Sequence, residues 1–558
     1  MVRATFSGFN TALSALQANQ KRLDITGQNL SNMNTAGYTR QQLEASSLNY
    51  TNPVSHYSNG NETAVGFGVS MDRVSQIRDP YLDIQYRSQS ADCSYTNRLQ
   101  TALNSLSKVL DETTISGIRQ AFDDIQSTLT SMQDPAEVSD PIYESELRTK
   151  MQSVCNLFNQ ASRQITQAEQ NEFQRLTGEG SSEQGDVQKI NDILRQIGDL
   201  NVQIKRNQVA GHPSLELQDE RNLLLDELSG YIPVETRYYK DDAHSGNNAY
   251  DYDANGAVIG KKDWPDDLEV SMNYIDAQGK SQKLILVNGS DLGADGLTKN
   301  YGQLSMLKGD HQTAASVSDP ANISIKFEKA PSYQVNGQAA ADVYAELKGI
   351  HFEGGSLQAS LDMLQKTGTG TVINGSTAVD DVRGYQYYSE KLDHLALTFA
   401  ESMNNINNGN KNPKDQNLLS NSTDDSTTGI TAGNIGISKG WTSGTVHIST
   451  NGTNRTDTIL DMIAAMKDTK KLNGKTFADY MNNLSTQLAS DSSSNQTALK
   501  TGTTVLNSIQ DSRDSLSGVS LDEEATNMMA YVSAYNAASR LMTALDEVLN
   551  TLISNTGA

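Results

Sequence analysis

Apolar residues recur at alternate steps of three and four at the two ends of this chain. Phe6, Phe9, Leu13, Leu16, Leu23 and Leu30 keep that spacing, with Gln20 and Gly27 at the skipped steps. Met528, Tyr531, Tyr535, Ala538, Met542, Leu545, Leu549 and Leu552 keep it without a gap. Such spacing lays one apolar seam along a helix, the seam that a coiled-coil partner buries. Each helix would run about 50 Å at about 1.5 Å per residue. A single stripe cannot bury itself, so the simplest expectation is that the two ends meet each other and then meet further copies. The competing reading is two ordinary amphipathic helices lying on a globular core.

Between the ends the pattern changes twice. The first helix is expected to run to about Met33, with the turn Asn34-Thr35-Ala36-Gly37-Tyr38 after it and Gly37 ending it. Residues 41–78 read as extended, with Gly66-Phe67-Gly68-Val69 as a strand-and-turn piece. From Asp79 to Gly230 the period is helical, with breaks near Thr113–Ser116, Asp134-Pro135 and Gly178–Gly185. Leu268–Ile275 and Ser281–Val287 then read as a β-hairpin, and Asn255-Gly256, Asn288-Gly289 and Asn336-Gly337 as turns. Helical spacing returns with Tyr388, Leu392, Leu395, Phe399, Met403 and Ile406. A polar loop covers Asn407–Thr428, a short β stretch Ile435–Ser449, and helices Thr456–Ser512. Ser520 with Glu523 forms a capping box opening the last helix.

The expected fold is therefore α+β and multidomain. Paired terminal coiled-coil helices occupy 1–40 and 515–558, a mainly helical body 41–235 and 354–514, and a β-rich inserted outer domain 236–353. This nested order brings the termini together and pushes the middle outward.

Charge supports pairing of the ends. Residues 1–40 hold Arg3, Lys21, Arg22 and Arg40 against Asp24, and residues 519–558 hold Asp522, Glu523, Glu524, Asp546 and Glu547 against Arg540. Each such pair is worth only about 0.3–0.5 kcal/mol, so charge guides pairing and packing holds it. Over the 558 residues the net charge is −23 with no basic stripe, which argues against nucleic acid as a partner. No run of eighteen apolar residues exists, so no membrane insertion is expected. No apolar segment follows Met1-Val2-Arg3, so a Sec-type signal is not expected. Cys93 and Cys155 fall in separate predicted helices, and the sequence leaves open two buried thiols or a bridge.

Catalytic chemistry is not nominated. The seven histidines stand apart, and metal-binding, phosphate-loop and nucleophile-elbow motifs are missing. Acidic pairs such as Asp123-Asp124 and Asp241-Asp242 read as solvated surface in a chain this acidic. No enzyme, no cofactor and no metal site is expected.

Leu23-Asp24-Ile25-Thr26-Gly27-Gln28-Asn29-Leu30-Ser31-Asn32-Met33-Asn34-Thr35-Ala36-Gly37-Tyr38-Thr39-Arg40-Gln41 resembles the N-terminal signature of the bacterial flagellar rod, hook and hook-associated proteins, the axial family. Within that family five further stretches are similar to the hook-associated branch. They are Leu217-Gln218-Asp219-Glu220-Arg221-Asn222-Leu223-Leu224-Leu225-Asp226-Glu227-Leu228-Ser229, Ser515-Leu516-Ser517-Gly518-Val519-Ser520-Leu521-Asp522-Glu523-Glu524-Ala525, Ala534-Tyr535-Asn536-Ala537-Ala538-Ser539-Arg540, Gly354-Gly355-Ser356-Leu357 and Leu392-Asp393-His394-Leu395-Ala396. The likeness covers roughly 1–235 and 354–558, and Ala36 stands where the family usually has Pro.

The resemblance implies a secreted structural protein of the flagellum, placed at the junction between hook and filament and needed for filament attachment. It implies export by the flagellar type III apparatus, with an export chaperone covering the C-terminal helix. Implied partners are further copies in an axial ring, the hook protein and the second hook–filament junction protein. The seam residues would carry axial-core packing, and Asn34, Thr35, Gly37 and Tyr38 the motif turn. The alternative is the hook protein or another axial rod or hook protein. A secreted type III effector or enzyme is a distant third.

Overall fold

The computed structural model describes residues 7–48, 68–110, 112–134, 138, 140–180, 182–240, 250–252, 258–261, 266–276, 280–292, 298–332, 334–335, 338–339, 343–345, 352–368, 372–373, 376–377, 382–409, 416–450 and 453–556. Phe6, Gly66-Phe67, Pro135, Asn255-Gly256 and Asn336-Gly337 lie outside the described residues. The chain is mostly helical with small antiparallel sheets.

The first helix, α1 (Ser7–Asn32), stops just short of the expected Met33, and the chain turns into the hairpin β1 (Gln41–Ser47) and β2 (Val69–Gln76). Gly37, at φ +79°, sits in the turn that follows the helix and does not itself end it. Helices α2 (Pro80–Val109), α3 (Glu112–Ser131), α4 (Pro141–Thr177), α5 (Asp186–Val209) and α6 (Leu215–Tyr231) come next. Two of them start by one device. Asp79 and Asp140 accept the backbone N–H of Tyr81 and Ile142, and a proline fills the first helical position of each. Gly178 closes α4 in the left-handed conformation at φ +76°.

The middle of the chain is β-rich. It runs through β3 (Glu235–Lys240), β4 (Tyr250–Tyr252), β5 (Val258–Lys261), β6 (Asp266–Ile275), β7 (Ser281–Asn288), β8 (Gln303–Lys308), β9 (Ile323–Glu328), β10 (Gln334–Val335), β11 (Gln338–Ala339) and β12 (Val343–Ala345). The expected hairpin is β6–β7, with Met272 opposite Leu284, and β3 adds to it in the order β3-β6-β7. A second sheet has the order β12-β9-β8. These sheets dock on helices through side-chain amides. Asn191 of α5 donates to Leu304 O at 2.8 Å and accepts from Leu304 N at 2.7 Å. Asn201 donates to Leu268 O at 3.0 Å. Each amide satisfies backbone groups that the small sheets would otherwise leave open.

Then follow α7 (Ser356–Gln365), β13 (Val372–Ile373), β14 (Ser376–Thr377), α8 (Tyr385–Asn408), β15 (Leu419–Asn421), β16 (Ile435–Ile437), α9 (Lys439–Ser443), α10 (Asp457–Met466), α11 (Phe477–Ser517) and α12 (Leu521–Thr556). The expected β stretch 435–449 is thus a three-residue strand and a short helix. The helix opens because Ser438 caps Trp441 N.

An aromatic knot ties the body together. Phe122 of α3 packs on Phe158 of α4, Phe399 of α8 and Phe477 of α11 at centroid distances of 6.0, 5.2 and 5.6 Å. All four rings are fully buried. Four helices distant in sequence therefore share one close-packed centre. From there α11 runs antiparallel to α2. Asn495 donates to Thr96 O at 2.9 Å, and Arg513 reaches Asp83 at 3.1 Å toward the far end. Both cysteines are free and buried, and burial pushes the Cys155 thiol up to about 12.

Two glutamates one turn apart on α4 differ in charge balance. Glu172 is buried with Arg98 as its ion partner. Glu169 is buried against an amide, accepting from Gln386 at 2.7 Å, and burial pushes its carboxyl up to about 6 from 4.5. A carboxyl raised on folding costs nothing below its unfolded value and penalises the folded state as pH climbs through 4.5–6. Glu169→Gln is therefore expected to stabilise the protein by about 2 kcal/mol at neutral pH. The gain should vanish below about pH 4.5 in urea unfolding followed across pH.

Candidate assembly site

The two terminal helices meet as an antiparallel pair. A Cβ on Gly8 would lie 3.3 Å from both methyls of Leu545. Arg22 stands 5.6 Å over the ring of Tyr531. Position 8 thus pairs with 545 and 22 with 531, one constant antiparallel register. Lacking a side chain, Gly8 lets the helices close at this crossing.

On α12 the seam Met528, Tyr531, Ala538, Met542, Leu545 and Leu549 is half-buried, while Tyr535 is 37% exposed and Leu552 51% exposed. On α1, Phe9, Leu16, Leu23 and Leu30 are half-buried and Leu13 is 46% exposed. The fully covered face of α1 holds Ala12, Ala18, Asn19, Ile25, Thr26 and Asn29. Small and polar residues do that work because α1 also packs on the β1–β2 hairpin. Ser14 Oγ accepts from Val69 N at 3.2 Å, and Asn29 accepts from Gln41 N at 3.0 Å. Apolar spacing does not register such a face.

A second stripe on α12 stays open. Ala530, Ala534, Ala537, Leu541, Ala544 and Val548 repeat at steps of four and three, and all are exposed. Its alanines would let another helix approach closely.

Where the pair joins the body, the separate sequence motifs come together. Asn29 donates to Gln41 O at 2.9 Å and accepts from Tyr38 Oη at 2.9 Å, bracing the turn that contains Asn34, Thr35 and Gly37. Burial, and behind it Asp219, pushes the Tyr38 hydroxyl up to about 12, so it stays a donor. Gly37 lies against Leu223 of α6, where a Cβ would meet Leu223 Cβ at 3.5 Å. Thr39 grips Asp219 of α6 twice, through Oγ1 at 2.6 Å and N at 3.1 Å.

Arg40 turns the other way. Its N–H donates to Ser517 O at 2.9 Å, and its guanidinium takes Glu523 and Glu524 at 2.8 Å each. The Glu523 side chain is 62% exposed and that of Glu524 3%, so Glu524 carries the contact and Glu523 is screened. This alters the expected capping box. Ser520 does accept Glu523 N, weakly at 3.5 Å, while the Glu523 carboxylate goes to Arg40.

Behind this turn three arginines interlock with three aspartates. Arg78 bonds Asp83 at 2.5 Å and reaches Asp219 at 3.9 Å. Arg87 bonds Asp226 at 2.8 Å, and Arg513 bonds Asp226 at 2.7 Å and Asp83 at 3.1 Å. The guanidinium of Arg513 also lies 4.3 Å over the Tyr86 ring. Charges balance, three against three, so none is left uncompensated in a largely dry setting. Sequence reading missed this cluster. The available signal was Asp219, Asn222, Asp226 and Ser229, a polar stripe at helical spacing on α6.

Among the described residues no group of three His, Cys, Asp or Glu could hold a metal ion. No described helix is long and apolar enough to cross a membrane. What the site offers is a helix pair with an open stripe, tied to a helical body through Thr39 and Arg40.

The chain is similar to flagellar proteins. The family profile described as flagellar hook-associated protein FlgK helical domain matches residues 103–414. The profile for flagella basal body rod protein matches residues 9–39, and that for the flagellar basal body rod FlgEFG protein C-terminal matches residues 512–555. Flagellar hook-associated protein 1 of Bacillus subtilis is 28% identical over 574 residues, spanning 99% of each chain. Its namesakes in Salmonella typhimurium and Escherichia coli are 29% and 28% identical. Both matches cover 40% of this chain, with 38% and 39% of theirs. The flagellar hook junction protein FlgK from Burkholderia pseudomallei aligns over 61% of this chain and 45% of its own, at 19% identity and a TM-score of 0.37. With the helical-domain profile covering more than half its length, the chain belongs to the flagellar hook-associated protein FlgK family.

Proposed function

We propose that this chain is a structural subunit of the bacterial flagellum, that it forms the junction between hook and filament, and that it acts without catalysis. One observation carries the reading. The helix pair keeps the stripe Ala530–Val548 uncovered, while Thr39 on Asp219 and Arg40 on Ser517 and Glu524 fasten that pair to the body. Copies set side by side would bury these stripes against one another's helices, with the body outside. The hook protein on one side and the second junction protein on the other are the neighbours this position requires. The segments 1–40 and 515–558 act as the axial core, 41–235 and 354–514 as the body, and 236–353 as the outer part. Immunogold labelling of isolated flagella is the test. Label confined to a narrow zone just beyond the hook is expected, and label along the filament would overturn the placement.

Export follows from the same seam. Met528, Tyr531, Tyr535, Met542, Leu545, Leu549 and Leu552 would self-associate before assembly, so a flagellar export chaperone covers them by helix-in-groove recognition on the way to the type III apparatus. A peptide of residues 518–558 is expected to bind that chaperone. The same peptide with Tyr535→Asp and Met542→Asp should bind at least about a hundredfold more weakly, the effect of two charged anchors. Equal affinity in calorimetry would move the chaperone site elsewhere.

A further inference from the structure

A polar cleft of about 470 Å³ lies on the body, far in sequence from the arm, between α4 and the β15–β16 ribbon. Its size falls within the roughly 300–1,000 Å³ of pockets that bury a small ligand. Asn159 stitches its back wall, donating to Cys155 O at 2.6 Å and across to Ile435 O at 2.9 Å. Asp425 braces its ribbon side, accepting from Ser420 Oγ at 2.7 Å and Lys439 N at 3.0 Å, and those bonds hold its carboxyl below the usual range.

Two features remain unexplained by the fold. Gln152, Asn156, Gln160 and Arg163 form one ridge along α4, and all four line the cleft. Among the described residues the Arg163 guanidinium and the Lys439 ammonium make no hydrogen bond or ion pair, and both are exposed. With Asp425 as the only carboxylate among the described lining residues, the lining is net positive in a chain of 67 acidic and 44 basic residues. Side-chain amides offer both donors and acceptors, which is what an extended backbone needs, and although Gln152 already donates to Asn156 at 2.9 Å and Lys439 helps hold the Asp425 charge, Arg163 is open to a carboxylate from outside.

We propose that this cleft receives a short acidic segment of a second copy, its carboxylate held between Arg163 and Lys439. The proposal rests on the reading that copies stand side by side in the flagellum. A second copy is the favoured occupant because its surface is rich in carboxylates and is held close by the arms. The contact is heterologous, cleft to segment, and so can repeat from copy to copy around the axis.

The test uses full-length chains in assembled flagella, with a photo-crosslinking residue in place of Gln160. The expected product joins two copies of this chain, and its mapped peptide contains Asp or Glu. The double variant Arg163→Glu with Lys439→Glu should still fold, since both side chains are exposed, with only a small drop in melting point where the new charge at 439 faces Asp425. It should lose the crosslink by about tenfold or more, because like charges now face each other. A crosslink to another protein, a mapped segment without an acidic residue, or a crosslink unaffected by the double variant would each overturn the proposal. If wild-type filaments attach normally and no copy-to-copy crosslink forms, the cleft proposal falls while the junction reading stands.

Discussion

Cells carrying Leu545→Asp are expected to build hooks, attach no filament and shed flagellin into the medium. Leu545 sits in the close crossing of α1 and α12, with its methyls 3.3 Å from where a Gly8 Cβ would be. Among the described residues its neighbours on that face of α12 are Met542 and Leu549, so a carboxylate there meets apolar side chains. Stripping water from a polar group without a partner costs about 1–3 kcal/mol by protein mutational data, and a charge costs more. Helix pairing between two isolated seams is marginal to begin with, so a loss of that size shifts the pair to mostly open. The damage recurs in every copy of an assembly. Asp546→Asn is the control, because Asp546 is exposed and its change should stay within about 0.5 kcal/mol. Counting attached filaments by electron microscopy separates the two. Normal swimming by the Leu545→Asp strain would show that the seam does not hold the axial core.

The seam on α12 was legible because its packing is of one kind. It faces a single helix, so burial follows the heptad at Met528, Tyr531, Ala538, Met542, Leu545 and Leu549, while Tyr535 and Leu552 stay exposed. The seam on α1 was less legible because α1 serves two neighbours at once. Its covered face is shared between α12 and the β1–β2 hairpin, and Ala18 and Asn29 pack there where larger apolar residues would not fit. The motif turn was found at Asn34–Tyr38, yet its purpose was not. Thr39 and Arg40, which end the motif, hold Asp219 and Glu524 from segments about 180 and 484 residues away. Such partners carry no local period, so only the fold reveals them. Likewise the amides of Asn191 and Asn201 that fasten the β segment to α5 read in sequence as ordinary helix surface.

Arg513→Met is expected to be the most damaging single change at the joint. Arg513 holds Asp83 and Asp226 together, and it lies on Tyr86. Its removal leaves Arg78 and Arg87 to neutralise Asp83, Asp219 and Asp226, one charge short. The side chains of Arg513, Asp83 and Asp226 are 14%, 10% and 16% exposed, so water compensates little. Breaking a buried pair by removing one partner costs about 3–5 kcal/mol, and partial access here favours the lower end. Adding Asp226→Asn to Arg513→Met restores the balance and should return a sizeable part of the loss, a coupling that a double-mutant cycle in urea isolates. The position of the loss matters as much as its size. Arg513 precedes Ser517, whose carbonyl holds Arg40 N, so the variant should also loosen the arm. Limited proteolysis should cut first between 513 and 524, while the Phe122 knot stays protected. A proteolysis pattern and stability equal to the parent would show that the ion cluster is incidental and that apolar packing with the Thr39 and Arg40 contacts sets the arm on the body.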